Sequence, residues 1–400
     1  MRRKLLLLLE TGLVLAGLLM GASAWKIHSA LEQPLNIAQE ELLDVPKGST
    51  PTRTFLELET DGVIKDAFWL RIYWRFNLAG TPIHTGEYRM QPGMTVNGLI
   101  DLWKRGEVVQ YSLTLVEGWN FHQVRAALAK DDKIEQTLKG LNDSEVMEKI
   151  GHRGLFPEGR FFPDTYRFVR GVSDVELLKK AFDRLDEVLA KEWENRSADA
   201  PYSEPYQALI MASLVEKETG VPQERGQIAG VFVRRMALGM QLQTDPTVIY
   251  GLGDRYTGKL TRAHLKEPTP YNTYVIPGLP PTPIAMVGRE AIHAALNPVE
   301  GNSLYFVARG DGSHVFSDDL EAHNSAVREF QLKRRADYRS SPAPANAPAA
   351  PVTDEAIPAA SPDTAPEALP QVPAQDPAPV PVPVPAPAAE PGPSAPQNAQ

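Results

Sequence analysis

Hydrophobic and polar positions follow several rhythms along this chain, and each predicts a different kind of element. After Met1-Arg2-Arg3-Lys4, residues Leu5 to Ala24 form a run of about 20 mostly apolar residues broken by Glu10 and Thr11. As a helix rising 1.5 Å per residue, such a run covers roughly 30 Å, the hydrocarbon thickness of a bilayer. Arg2, Arg3 and Lys4 predict an N-terminus held inside and a body sent outward, with residues 1–25 as a single-pass membrane anchor. Ala22-Ser23-Ala24 also fits a small-x-small cleavage site, so a removed signal peptide is the alternative. Either reading exports the rest of the protein.

From Leu42 to Met90 the pattern predicts strand, two helices, strand. Trp69, Ile72, Tyr73 and Phe76 are spaced for one face of the second helix. A strand-turn-helix unit then recurs in Y-R-M-Q-P-G-M-T-V-N-G-L-I-D-L-W and L-T-L-V-E-G-W-N-F-H-Q-V-R-A-A-L. With turn glycines at Gly48, Gly93 and Gly118, residues 40–108 resemble the glycan-binding LysM fold; a generic α+β domain is the alternative. Asp131 to Gly151 and Val175 to Trp193 have the period of polar amphipathic helices. Between them, Phe156, Phe161, Phe162, Tyr166 and Phe168 interleave with Glu158, Arg160, Asp164 and Arg167. Aromatic faces beside charged groups suit sugar rings, although such a loop also packs readily into its own core.

The stretch Tyr206 to Pro222 reads as an apolar helix that delivers acidic residues at its end. Met211, Leu214 and Val215 lie seven, four and three residues before Glu218, so Glu218 is expected on their face, whereas Glu216 points roughly the other way. Gly220 and Pro222 predict a stop just beyond Glu218, with the glycine as a left-handed cap. A carboxyl group at the carbonyl end of a helix, among apolar neighbours, favours its protonated form. A rise of about 2 units from ~4.3, roughly 2.7 kcal/mol, would make it a general acid near neutrality. The alternative is a solvated helix-end residue paired with Lys217 or Arg225. Gly226 to Met240 is expected as a helix able to cover Glu218, followed by a polar turn from Gln241 that leads into a short apolar segment. Residues 269–283 form proline-rich loops, Ser303 to Phe316 a hairpin, and Glu321 to Tyr338 a closing helix.

Composition narrows the choices. The 400 residues are 42% hydrophobic and 23% charged, enough for one or two cores. There is no cysteine, and the eight histidines form no H-E-x-x-H pattern, so neither a metal site nor any cofactor is expected. A formal charge of -9 argues against a nucleic-acid partner. Residues 339–400 hold half of the prolines among small and acidic residues, and read as a disordered Pro/Ala-rich tail.

The runs M-A-S-L-V-E-K-E-T-G, L-Q-T-D-P-T-V-I-Y-G-L-G, T-P-Y-N-T-Y and L-Y-F-V-A-R-G-D-G-S-H-V-F occur in that order. They closely resemble the endolytic murein transglycosylases of the MltG (YceG-like) family, and the resemblance covers about residues 1 to 335. It implies an α+β protein: membrane helix, LysM-like subdomain, then a mixed α+β catalytic domain at 109–338. It also implies an inner-membrane lyase that cuts nascent peptidoglycan strands internally, with peptidoglycan synthases as partners. The E-K-E motif places the family's catalytic acid on Glu218. The Q-T-D and Y-N-T-Y loops would position the sugar through Gln243, Thr244, Asp245, Tyr271, Asn272 and Tyr274. Asp245 and Asn272 read equally well as residues that stabilise their own turns. A muramidase and a non-catalytic LysM-type scaffold are the competing functions.

Overall fold

The structure, a computed structural model, describes residues 2–332. The first helix, α1 (Arg2–Glu32), is long and apolar enough to cross a membrane, and none of its most apolar window is buried against the protein. It enters a first core through Ala30 and, beyond the helix, Leu35.

That core holds the expected strand-helix-helix-strand unit: β1 (Glu41–Val45), α2 (Pro51–Thr60), α3 (Ala67–Asn77) and β2 (Gly86–Met90), followed by α4 (Val96–Arg105). The strands pair antiparallel, with Leu43 opposite Tyr88. Thr50 caps α2 by accepting the N–H of Arg53, and Pro51 opens the helix with its φ already set. Thr95 caps α4, which ends on left-handed Gly106. Phe55, Trp74, Tyr88 and Trp103 fill the centre, with ring centroids 5.2 to 6.4 Å apart. The core face of α3 is not the expected one. Ala67, Leu70 and Trp74 are buried, Trp69, Ile72 and Tyr73 are half-buried, and Phe76 is 81% exposed.

A second core forms around β3 (Tyr111–Thr114), α5 (Phe121–Lys130), α6 (Asp143–Lys149), β4 (Thr165–Phe168) and α7 (Asp174–Glu194). The strands β3 and β4 pair antiparallel. Phe161, Phe162, Tyr166 and Phe168 are buried, so the aromatic loop packs largely inward. The long helix expected over Asp131 to Gly151 is replaced by turns followed by the short α6. Asp174 explains this: its buried carboxylate accepts the N–H groups of Thr137 and Leu138 at 3.1 and 3.0 Å, donors a helix would need for itself.

The third core surrounds α8 (Pro205–Glu218). Packed near it are α9 (Arg225–Ala237), α10 (Asp245–Leu252), α11 (Arg262–Lys266) and α12 (Arg289–Leu296). The hairpin β5 (Tyr305–Ala308) and β6 (His314–Ser317) follows, then α13 (Leu320–Val327). The expected closing helix turns into a π-helical turn at Arg328–Leu332. The rest of that expectation, and the Pro/Ala-rich tail, lie outside the described residues.

Candidate active site

Eight consecutive residues of α8, Ala208 to Val215, are buried. A helix apolar on every side belongs inside a core. The single apolar face inferred for it is therefore too narrow a description, and the two glutamates at its end are separated by their partners. Glu216 accepts the N–H of Gly288 at 3.1 Å, where α12 begins, and lies 3.7 Å from Arg225. A Cβ on Gly288 would fall 1.9 Å from Glu117 Oε1, so any larger residue there would have to displace the Glu117 side chain. Glu218 points instead toward the loop before α10, where the Thr244 hydroxyl donates to its Oε1. Lys217 reaches the Gly118 carbonyl, so neither basic residue considered as a partner for Glu218 is one.

The helix exit also differs from expectation. Gly220 does not take the left-handed conformation; Thr219 closes α8 in an extended one. Thr219 Oγ1 accepts the N–H of Val221 at 3.0 Å and faces Glu224 Oε2 at 3.3 Å, so a side chain organises the turn that the glycine was expected to make.

Burial pushes the Glu218 carboxyl up to about 7; the nearby negative charge of Asp245 adds to this, and the Thr244 hydrogen bond opposes it. Its surroundings are a threonine lattice. Thr244 is 1% exposed and its N–H donates to Thr273 Oγ1 at 3.0 Å. Thr247 Oγ1 donates to the Thr244 carbonyl at 2.7 Å and lies 2.9 Å from Thr273 Oγ1. Thr273 and Thr247, which sequence reasoning did not single out, thus tie the Q-T-D and Y-N-T-Y loops together. Nothing in their local spacing signals this, because the partners are 26 to 29 residues apart.

The other expected site residues divide into two groups. Asp245 and Gln243 are exposed at the loop. Tyr274 donates its phenol to Asp245 at 2.7 Å, and Gln243 sits at φ 53° and accepts from Arg235 at 2.8 Å. Tyr271 is half-buried, with its hydroxyl 2.9 Å from that of Thr282 and its ring against Tyr250. Asn272 is fully buried, and its amide nitrogen faces the carbonyls of His264, Leu265 and Glu267. These bonds shape its loop.

A second acid lies behind the same wall. Glu158, from the aromatic loop, is 4% exposed and accepts the N–H of Phe121 at 3.1 Å and the hydroxyl of Tyr250 at 3.0 Å. Burial pushes it, too, up to about 7. The sequence signal was present in an acid enclosed by Phe156, Phe161 and Phe162. Among the described residues no His/Asp/Glu cluster could hold a metal ion.

Fold and site together define a mixed helix-and-strand protein in which a raised and partly exposed carboxyl group, Glu218, stands at the end of a helix buried on every side. The YceG-like family model matches residues 43–329, and the chain belongs to that family. A Bacillus subtilis (strain 168) protein named endolytic murein transglycosylase is 29% identical over 307 residues, covering 72% of this chain and 84% of that protein. A Streptococcus pneumoniae D39 protein of the same name is 26% identical over 338 residues, or 76% of this chain and 60% of its own length. A crystal structure of a yceG-like protein from Listeria monocytogenes covers 72% of this chain and 99% of its own, at 30% identity and a TM-score of 0.46.

Proposed function

We propose that this chain is an endolytic lytic transglycosylase that cleaves the β-1,4 bond between N-acetylmuramic acid and N-acetylglucosamine inside nascent peptidoglycan strands. It leaves 1,6-anhydro ends and so terminates elongation. The observation that carries this reading is Glu218, a partly exposed carboxyl group raised to about 7 and held in place by Thr244. The names of the bacillary and streptococcal relatives point to the same chemistry.

The chemistry follows from having one acid. Protonated Glu218 donates to the glycosidic oxygen as the C1–O bond breaks. The C6 hydroxyl of the same muramic acid then attacks C1, an intramolecular step with high effective molarity. Glu218, now a carboxylate, takes the C6 proton and is restored. No water enters the product. A pKa near 7 suits both halves, because it lies close to the operating pH. Asp245 and Tyr274 at the rim, with Gln243 and Tyr271, form the sugar-positioning surface in this reading. A hydrolytic alternative would enlist Asp245, whose charge is felt at Glu218, to activate water.

The remaining assignments belong to the same proposal. Helix α1 anchors the protein in the inner membrane with Arg2, Arg3 and Lys4 inside, and the LysM-like part at 40–108 precedes the catalytic domain. Peptidoglycan synthases are the expected partners. Glu218→Gln keeps size and hydrogen bonding but removes the proton, and should cut formation of anhydro ends by at least 10²-fold. Glu216→Gln should retain measurable turnover. Anhydro ends formed by Glu218→Gln at a rate near wild type would reject the assignment.

A further inference from the structure

Phe76 is the most exposed large apolar residue among those described, and it stands on a helix that the site chemistry does not use. Its helix, α3, is fixed against α1 at one end. The Gln33 side chain, just past α1, accepts the Lys65 N–H at 2.9 Å and donates to the Lys65 carbonyl at 2.7 Å. That places the start of α3 beside the end of α1. Along α1, Ser23, Ile27, Ala30 and Leu31 are wholly or partly covered, one stripe at i, i+4, i+7 and i+8, and α3 packs against this helix. Running back along that stripe, the nine steps from Ala67 to Phe76 cover about 13 Å, and the eight from Gln33 to Trp25 about 12 Å. With α3 lying back along α1 in this way, its last turn would come level with Trp25 and Lys26.

We infer that the last turn of α3 rests in the outer headgroup layer of the bilayer that α1 crosses, with Phe76 and Ile72 dipping toward the acyl boundary and Arg71 and Arg75 meeting lipid phosphates. Trp25 is 64% exposed and Lys26 lies over its ring, a pair suited to the same interfacial level. Arg71 Nε is buried without a hydrogen-bond partner, and beside it a cavity of about 390 Å³ opens between Phe68, Arg75 and Phe76. Aromatic and arginine side chains on one exposed helical face form an interfacial pattern, and guanidinium groups match phosphate oxygens. The inference rests on α1 being a retained anchor. It adds a second foothold, which fixes the orientation of the first core over the membrane.

The absence of cysteine makes the test direct, since a nitroxide can be attached at any single introduced cysteine. The full chain is placed in nanodiscs of phosphatidylethanolamine and phosphatidylglycerol, and collisions with oxygen and with a water-soluble nickel chelate are compared. Labels stand at Leu13→Cys in the span, Asn77→Cys beside an intact Phe76, and Asp61→Cys on an exposed turn before α3. The inference expects position 77 to favour oxygen as position 13 does, and position 61 to favour the nickel chelate. Position 77 behaving like position 61 while position 13 stays lipid-exposed would overturn the foothold and leave the anchor standing. Position 13 in water would overturn both.

Discussion

Glu218 and Glu158 share one property and differ in every other. Both are carboxyl groups raised to about 7, chiefly by loss of water. Glu158 is sealed, and its acceptor capacity is committed to the Phe121 N–H and the Tyr250 hydroxyl, which join the second core to the wall behind the Y-N-T-Y loop. Glu218 is partly exposed, and among the described residues its one hydrogen-bond partner is Thr244, on Oε1. Oε2 is left for a proton in transit. A raised pKa therefore marks desolvation, and access with a spare oxygen is what separates an acid that can act from one that braces.

The comparison can be broken at its strongest point through Thr244. Thr244→Val keeps the shape but removes the hydrogen bond that holds Glu218 in place and lowers its pKa. Turnover should fall roughly tenfold, about 1.4 kcal/mol, which is the size of a hydrogen bond to a group that can carry charge. Because general-acid activity is lost as pH rises through the Glu218 pKa, near 7 in the wild type, the descending limb of the pH–rate profile should move to higher pH in the variant. Thr244→Ser should restore both rate and profile. An unmoved limb would mean that Thr244 does not touch the working acid.

An effect smaller on turnover, and read in stability instead, sharpens the other half. For Glu158 the folded pKa, about 7, lies above the ordinary 4.5, so the folded state holds a proton that the unfolded chain releases between those values. Stability from this group is full below about pH 4.5, declines as pH rises to 7, and is flat beyond; the loss is at most about 3 kcal/mol. Glu158→Gln should remove that slope in denaturant titrations from pH 4.5 to 7.5. It should change turnover only a few-fold and leave the rate profile in place. A large loss of kcat in the folded variant, with the descending limb displaced, would move Glu158 into the chemistry.

Local pattern carried much of this molecule. The apolar run of α8 is buried on all sides because nearly every residue from Ala208 to Val215 is apolar, and Glu218 falls at its end because the chain turns there. Gly48, Gly93 and Gly118 all take positive φ, as turn positions require. What local pattern missed is what distant residues decide. Asp174 takes backbone donors 36 and 37 residues away and turns an expected helix into loops. Thr273 becomes the clasp of the site only because Thr244 and Thr247 arrive opposite it. Asn272 sits in a motif read as sugar-binding, yet its amide is spent on the carbonyls around α11. On α3 the helical period was right and the buried face wrong, because Trp74, and not Phe76, meets Phe55 and Trp103.

The central claim is that one acid serves both proton transfers and the substrate supplies its own nucleophile. Purified full-length protein acting on uncrosslinked glycan strands in ¹⁸O-labelled water, with mass spectrometry of the new ends, tests it most directly. The account predicts 1,6-anhydromuramoyl ends without label, and none from Glu218→Gln. Reducing ends carrying ¹⁸O would show that water is the nucleophile and that a second carboxylate, with Asp245 the first candidate, shares the work.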